Sequence, residues 1–67
     1  MIKVKINGKS EELLSEMSIP EFLKAKGIDK NSIVFMLNEK IIKKDEMENY
    51  TIKQNDEIEI LRFVSGG

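Results

Sequence analysis

Ser65-Gly66-Gly67 follow the run Glu57-Ile58-Glu59-Ile60-Leu61-Arg62-Phe63-Val64, so the chain passes from alternating side chains to almost none. Glycine suits a backbone that must cross a space with no room for a Cβ. The group these residues present is the α-carboxylate of Gly67, ionised at neutral pH because its reference pKa is about 3.3–3.7. A carboxylate is a poor acyl donor. Its oxygen can, however, attack the α-phosphate of ATP and form an acyl-adenylate. Fully extended, Ser65-Gly66-Gly67 spans about 10 Å at 3.3–3.6 Å per residue, enough to enter a narrow nucleotide pocket. The expectation is that Gly67 is the modified residue and that Ser65, Gly66 and Gly67 enter a partner's active site.

Rival chemistry is thin. There is no Cys and no His among the 67 residues, which removes thiolate and imidazole metal sites, Cys nucleophiles and His bases. Without Cys the chain cannot hold sulfur as a persulfide, so any transferable sulfur would sit at the C-terminus. Glu11-Glu12 and the set Asp45, Glu46 and Glu48 could in principle bind Mg²⁺ or act as acid and base. Neighbours on a strand point to opposite faces, though, and no base or phosphate loop accompanies them. They read as solvated surface, as do Lys40, Lys43 and Lys44. No catalytic constellation, metal site or bound cofactor is expected, and the chain is not expected to be an enzyme.

Eleven Lys+Arg against twelve Asp+Glu leave a net charge of -1, which argues against nucleic acid as a partner. Residues 1–6 alternate apolar and charged, with no apolar stretch of a signal peptide and no membrane span in the chain, so cytoplasmic residence is expected. A composition 40% hydrophobic and 34% charged fits one small globular domain. We expect that domain over residues 1–64, with 65–67 a flexible reactive tail.

The elements that must carry this tail follow from periodicity. Ile2, Val4 and Ile6 alternate with Lys3 and Lys5 as in a half-buried strand, and Asn7-Gly8 is a strong hairpin turn. A polar return strand runs from Lys9 to about Leu14, suited to a sheet edge. Ser18-Ile19-Pro20-Glu21 forms a capping box, and Ile19, Phe22 and Leu23 give the helix it starts one apolar face. Gly27 ends that helix near Lys26. Ile33-Val34-Phe35-Met36-Leu37 is a strand covered on both faces or one whose outer face awaits a partner. Asn38-Glu39-Lys40 turns into a brief strand, Ile41-Ile42. Asp45 to Tyr50 is an irregular connection with room for one helical turn, Gln54-Asn55-Asp56 is a turn, and the last strand covers Glu57 to Val64. Met36 and Met47 are read as core fillers.

A β-β-α-β-β-β order with right-handed crossovers places the first and last long strands side by side and parallel. The expected class is α+β, a β-grasp (ubiquitin-like) mixed sheet of four to five strands with one short helix on one face. In the last strand Ile58 and Ile60 alternate with Glu57 and Glu59 and should face the core. Leu61 and Phe63 then face outward. With Val64 beside them, they are the candidate partner-binding residues; the alternative is that the strand bends near Arg62 or that Leu61 and Phe63 cover a loop.

The residues from Asp56 to Gly67 resemble the ending of the ThiS family, sulfur carriers of thiamine thiazole synthesis. Met36-Leu37-Asn38-Glu39-Lys40-Ile41-Ile42, the opening Ile6-Asn7-Gly8-Lys9 hairpin and the Ser18–Gly27 helix fit the same pattern. Ser65 stands where many members carry a third Gly, and the aromatic often found near Met47 is absent. The resemblance implies that an E1-like, ThiF-type adenylyltransferase activates Gly67 with ATP, that a sulfur-donating enzyme supplies the sulfur of a Gly67 thiocarboxylate, and that a ThiG-like thiazole synthase receives it. The alternatives within the group are a molybdopterin synthase small subunit and a tRNA-thiolation or ubiquitin-like carrier. Outside it stands a non-covalent interaction module.

Overall fold

Apolar alternation in the first and last long segments, together with the unbroken apolar run 33–37, builds a sheet with one covered face. The computed structural model describes residues 1–63. Among them the strands are β1 (Ile2–Ile6), β2 (Lys9–Leu13), β3 (Met17–Ser18), β4 (Ile33–Leu37), β5 (Lys40–Ile42), β6 (Thr51–Ile52) and β7 (Glu57–Arg62), with one α-helix, α1 (Ile19–Lys26). The main sheet has the order β2-β1-β7-β4-β5, and β3 pairs with β6 in a separate two-stranded sheet. β1 and β7 are parallel, whereas β7–β4, β4–β5 and β1–β2 are antiparallel. This is the β-grasp expected from the sequence.

The helix forms where the sequence places it. Ser18 Oγ accepts from Glu21 N–H at 3.2 Å, and Glu21 Oε1 accepts from Ser18 N–H at 3.0 Å. Gly27, at φ 70°, reverses the chain, and Ile28 N–H donates back to Leu23 O at 2.9 Å. Ile19, Phe22 and Leu23 are buried against Val4, Phe35 and Ile58 of the sheet. Phe22 meets Phe35 edge to face, ring centres 6.2 Å apart. Burying a side chain of this size is worth about 1.5–3 kcal/mol, so this layer contact dominates the stability of so small a domain. On the rim, Lys26 Nζ is ion-paired with Glu11 of β2.

Some expectations are corrected and others only refined. The order contains two further strands, β3 and β6, too short for a period to register in the sequence. The connection before β6 is a six-residue 3₁₀ segment, Lys44–Asn49, that buries Met47 beneath the helix end. β2 stops at Leu13, leaving Leu14 outside the strand and exposed. Met36 is not a core filler: β4 alternates buried and half-buried, and Met36 lies with Val34 on the half-buried side. The last strand ends at Arg62 among the described residues. Val64, together with the expected 65–67 tail, lies outside them.

Candidate functional site

Register decides what each face of the sheet presents. In an antiparallel pair, directly opposed residues share a face. Ile33, Phe35, Leu37 and Ile58 are turned to the helix and buried. On the opposite face Leu61 stands across from Val34, Glu59 across from Met36, and Met36 across from Ile41. Leu61 is 54% exposed, Ile41 62% and Phe63 60%. An apolar patch of Val34, Met36, Ile41 and Leu61 therefore lies open on the outer face, with exposed Phe63 directly beyond the end of β7. Such a contiguous patch marks an interaction surface more often than isolated exposed residues do.

The other half of that face is charged. Lys5 of β1 sits opposite Glu57 of β7, and Lys3 sits opposite Glu12 of β2. A shallow groove crosses β7 between Lys5 and Asn7 on one side and Met36 and Glu39 on the other. At the sheet's far edge the Tyr50 hydroxyl accepts from Lys40 Nζ at 3.0 Å and holds that ammonium above its ordinary pKa. No group of Asp and Glu able to hold a metal ion occurs among the described residues. Nor is any helix among them long and apolar enough to cross a membrane.

β7 is held from both flanks by asparagine side chains. Asn38 Oδ1 accepts from Glu57 N–H at 2.9 Å, and Asn38 N–H donates to Glu57 O at 2.8 Å. Asn7 N–H donates to Ile58 O at 2.8 Å, while its Oδ1 accepts from Ile60 N–H at 2.8 Å. Both asparagines open reverse turns in which two successive residues have positive φ: Asn7 51° and Gly8 84°, Asn38 52° and Glu39 72°. That is the pattern of the type I′ hairpin, whose twist matches the flanking strands.

The candidates named from sequence divide as follows. Leu61 and Phe63 are exposed, and Leu61 lies on the face assigned to it. Val64, Ser65, Gly66 and Gly67 lie outside the described residues. Val34, Met36 and Ile41 join Leu61 in the outer patch without having been named as binding residues, although the unbroken apolar run 33–37 was the signal for Val34 and Met36. The role of Asn7 beyond its turn had no local signal, because its side-chain partner stands 53 residues away.

Comparison with known proteins places this geometry. The crystal structure of the thiamine biosynthesis protein (ThiS) from Geobacter metallireducens superposes with a TM-score of 0.86, covering 98% of this chain and 100% of that one at 23% identity. The NMR solution structure of a thiamine biosynthesis protein from the same organism gives a TM-score of 0.82, over 98% of this chain and 88% of that one, again at 23% identity. At such identity the likeness speaks for the fold. A search of curated proteins finds no significant match. The ThiS family model, in contrast, matches residues 4–67, β-grasp and Gly66-Gly67 alike, and the chain belongs to the ThiS family.

Proposed function

We propose that this protein is a sulfur carrier, consumed and regenerated by partner enzymes and not itself a catalyst. The observation that carries the reading is the family match running from Val4 through Gly66-Gly67, so that fold and reactive end are matched together. A Gly67 carboxylate oxygen attacks the α-phosphorus of ATP on an E1-like, ThiF-type adenylyltransferase. Pyrophosphate leaves, and the product is an acyl-adenylate. A sulfur nucleophile, derived from a sulfur-donating enzyme, then displaces AMP and leaves a thiocarboxylate. A ThiG-like thiazole synthase takes that sulfur for the thiazole of thiamine.

In this reading the folded body supplies recognition and the end supplies chemistry. The outer patch around Leu61 gives the adenylating enzyme an apolar surface on the strand that leads to Gly67, with exposed Phe63 extending it. Docking the body turns entry of the end into an intramolecular event at high effective concentration. The reaction needs no metal or cofactor on the carrier, since ATP is bound by the activating enzyme. Cytosolic residence suits that supply.

The test is incubation with a ThiF-type enzyme, ATP and hydrosulfide. ATP–pyrophosphate exchange should depend on the carrier, and the intact mass should rise by the difference between sulfur and oxygen. A chain lacking Gly67 should support neither while keeping its fold. An unchanged mass for the full chain, with an enzyme proven active on another carrier, would sink the proposal.

A further inference from the structure

β1 and β7 are paired over a short stretch, with Lys5 opposite Glu57 and Ile6 opposite Ile58. β1 ends there because the chain turns at Asn7-Gly8, whereas β7 runs on to Arg62. On the β4 side the support continues, with Ile60 across from Phe35, Arg62 across from Ile33, and Phe63 N–H donating to Ser32 O at 3.0 Å. On the β1 side no strand pairs with β7 past Ile58 among the described residues. The Asn7 side chain fills that position. Its Oδ1 accepts from Ile60 N–H at 2.8 Å, and its Nδ2 lies 3.5 Å from Ile60 O as a weaker donor.

A carboxamide carries the same donor and acceptor as a peptide group. Asn7 thus imitates one more residue of β1 exactly where β1 has left the sheet. We propose that Asn7 is a positioning residue for the carrier reaction: it pins the end of β7, and so sets where the segment bearing Gly67 departs from the folded body. The inference rests on the carrier reading above. Reaction requires near-attack geometry at a group several residues beyond the clamp, and small misplacement at such a distance lowers the rate of the bound complex. The Asn7 carboxamide borders the outer groove but is engaged with Ile60 N–H and O, so docking through the apolar patch is expected to lose little when it is removed. Its loss should therefore fall on turnover and not on binding.

Asn7→Gly is the informative variant, since glycine accepts positive φ and keeps the turn while removing the carboxamide. Asn7→Asp keeps the acceptor for Ile60 N–H, loses the weaker donor and turns a second, charged oxygen toward Ile60 O. In ATP–pyrophosphate exchange at varied carrier concentration, Asn7→Gly should lower kcat roughly three- to tenfold, the size of one net hydrogen bond. Its KM should stay within about twofold of the parent, because binding of the body is unaltered. Asn7→Asp should recover part of kcat. In the isolated chain, amide exchange at Ile60 should quicken in Asn7→Gly and return towards the parent rate in Asn7→Asp. An unchanged kcat in Asn7→Gly, a loss carried wholly by KM as expected of a smaller folded fraction, or an Asn7→Asp no better than Asn7→Gly would each overturn the inference. If the parent chain itself supports no exchange, the carrier reading fails and takes the inference with it; if only the variants match the parent, the inference alone fails.

Discussion

The two faces of β4 are both apolar, and β7 adds Ile58 to one and Leu61 to the other, yet the two faces have opposite fates. Phe35, Leu37 and Ile58 vanish beneath the helix, while Val34, Met36 and Leu61, one residue out of phase, stay at least partly in water. A protein that only needed to fold would place charges on the second face, as this one does on β1 with Lys3 and Lys5. Hydrophobicity on the covered face stabilises the domain. On the open face it contributes less to folding, and under the proposed function its use lies in association.

Substitution can break that contrast, beginning with the largest effect. Phe35→Ala removes a fully buried ring and its partner contact with Phe22, and should cost about 3–5 kcal/mol in urea unfolding. A domain of this length has total stability of only about 3–10 kcal/mol, so the variant should be largely unfolded on warming. Leu61→Asp, on the other face, should shift stability by no more than about 0.5 kcal/mol. It should nonetheless weaken binding to the adenylating enzyme by roughly tenfold or more, measured by titration calorimetry, as loss of a central apolar contact does. A large stability loss from Leu61→Asp would erase the distinction between the faces.

Smaller effects sharpen it. The helix covering the inner face depends on its first turn, and Ser18→Ala should lower stability by about 1 kcal/mol. In that box the Ser18 backbone N–H, and secondarily its hydroxyl, hold the Glu21 carboxyl below its ordinary pKa of 4.5. A lowered pKa in the folded state means that the box contributes above pH 4.5 and loses its contribution as pH falls through the depressed value. Glu21→Gln should therefore flatten the acid limb of the thermal-unfolding profile below that pH and leave the neutral region nearly parallel. Least of all, Glu39→Gly relieves a non-glycine residue at φ 72° beside the outer groove. The strain of roughly 1–2 kcal/mol is partly offset by the unfolded-state entropy of glycine, so a rise of up to about 1 kcal/mol is expected, read as a higher Tm.

Much of this architecture was legible before any coordinates. The Ser18–Glu21 box and Gly27 mark the helix within the chain itself, because capping bonds join residues three to five apart. The Asn7-Gly8 turn is equally local, and strict alternation along Glu57–Leu61 assigns inward and outward faces wherever the strand stays straight. Met36 was misread, since an unbroken apolar run does not say which face will be covered. The strands β3 and β6 were invisible because two residues carry no period; each exists through the other, Met17 opposite Ile52 and Ser18 opposite Thr51.

By itself, then, the order of residues settled the local devices: the capped helix, the turns and the alternating strands. Tertiary structure alone decided that Val34, Met36 and Ile41 would share the outer face with Leu61 and what Asn7 would hold. Those outcomes depend on partners more than fifty residues away or on the opposite strand, and pairing across such distances is governed by the packing of the whole sheet, which no short window of sequence contains.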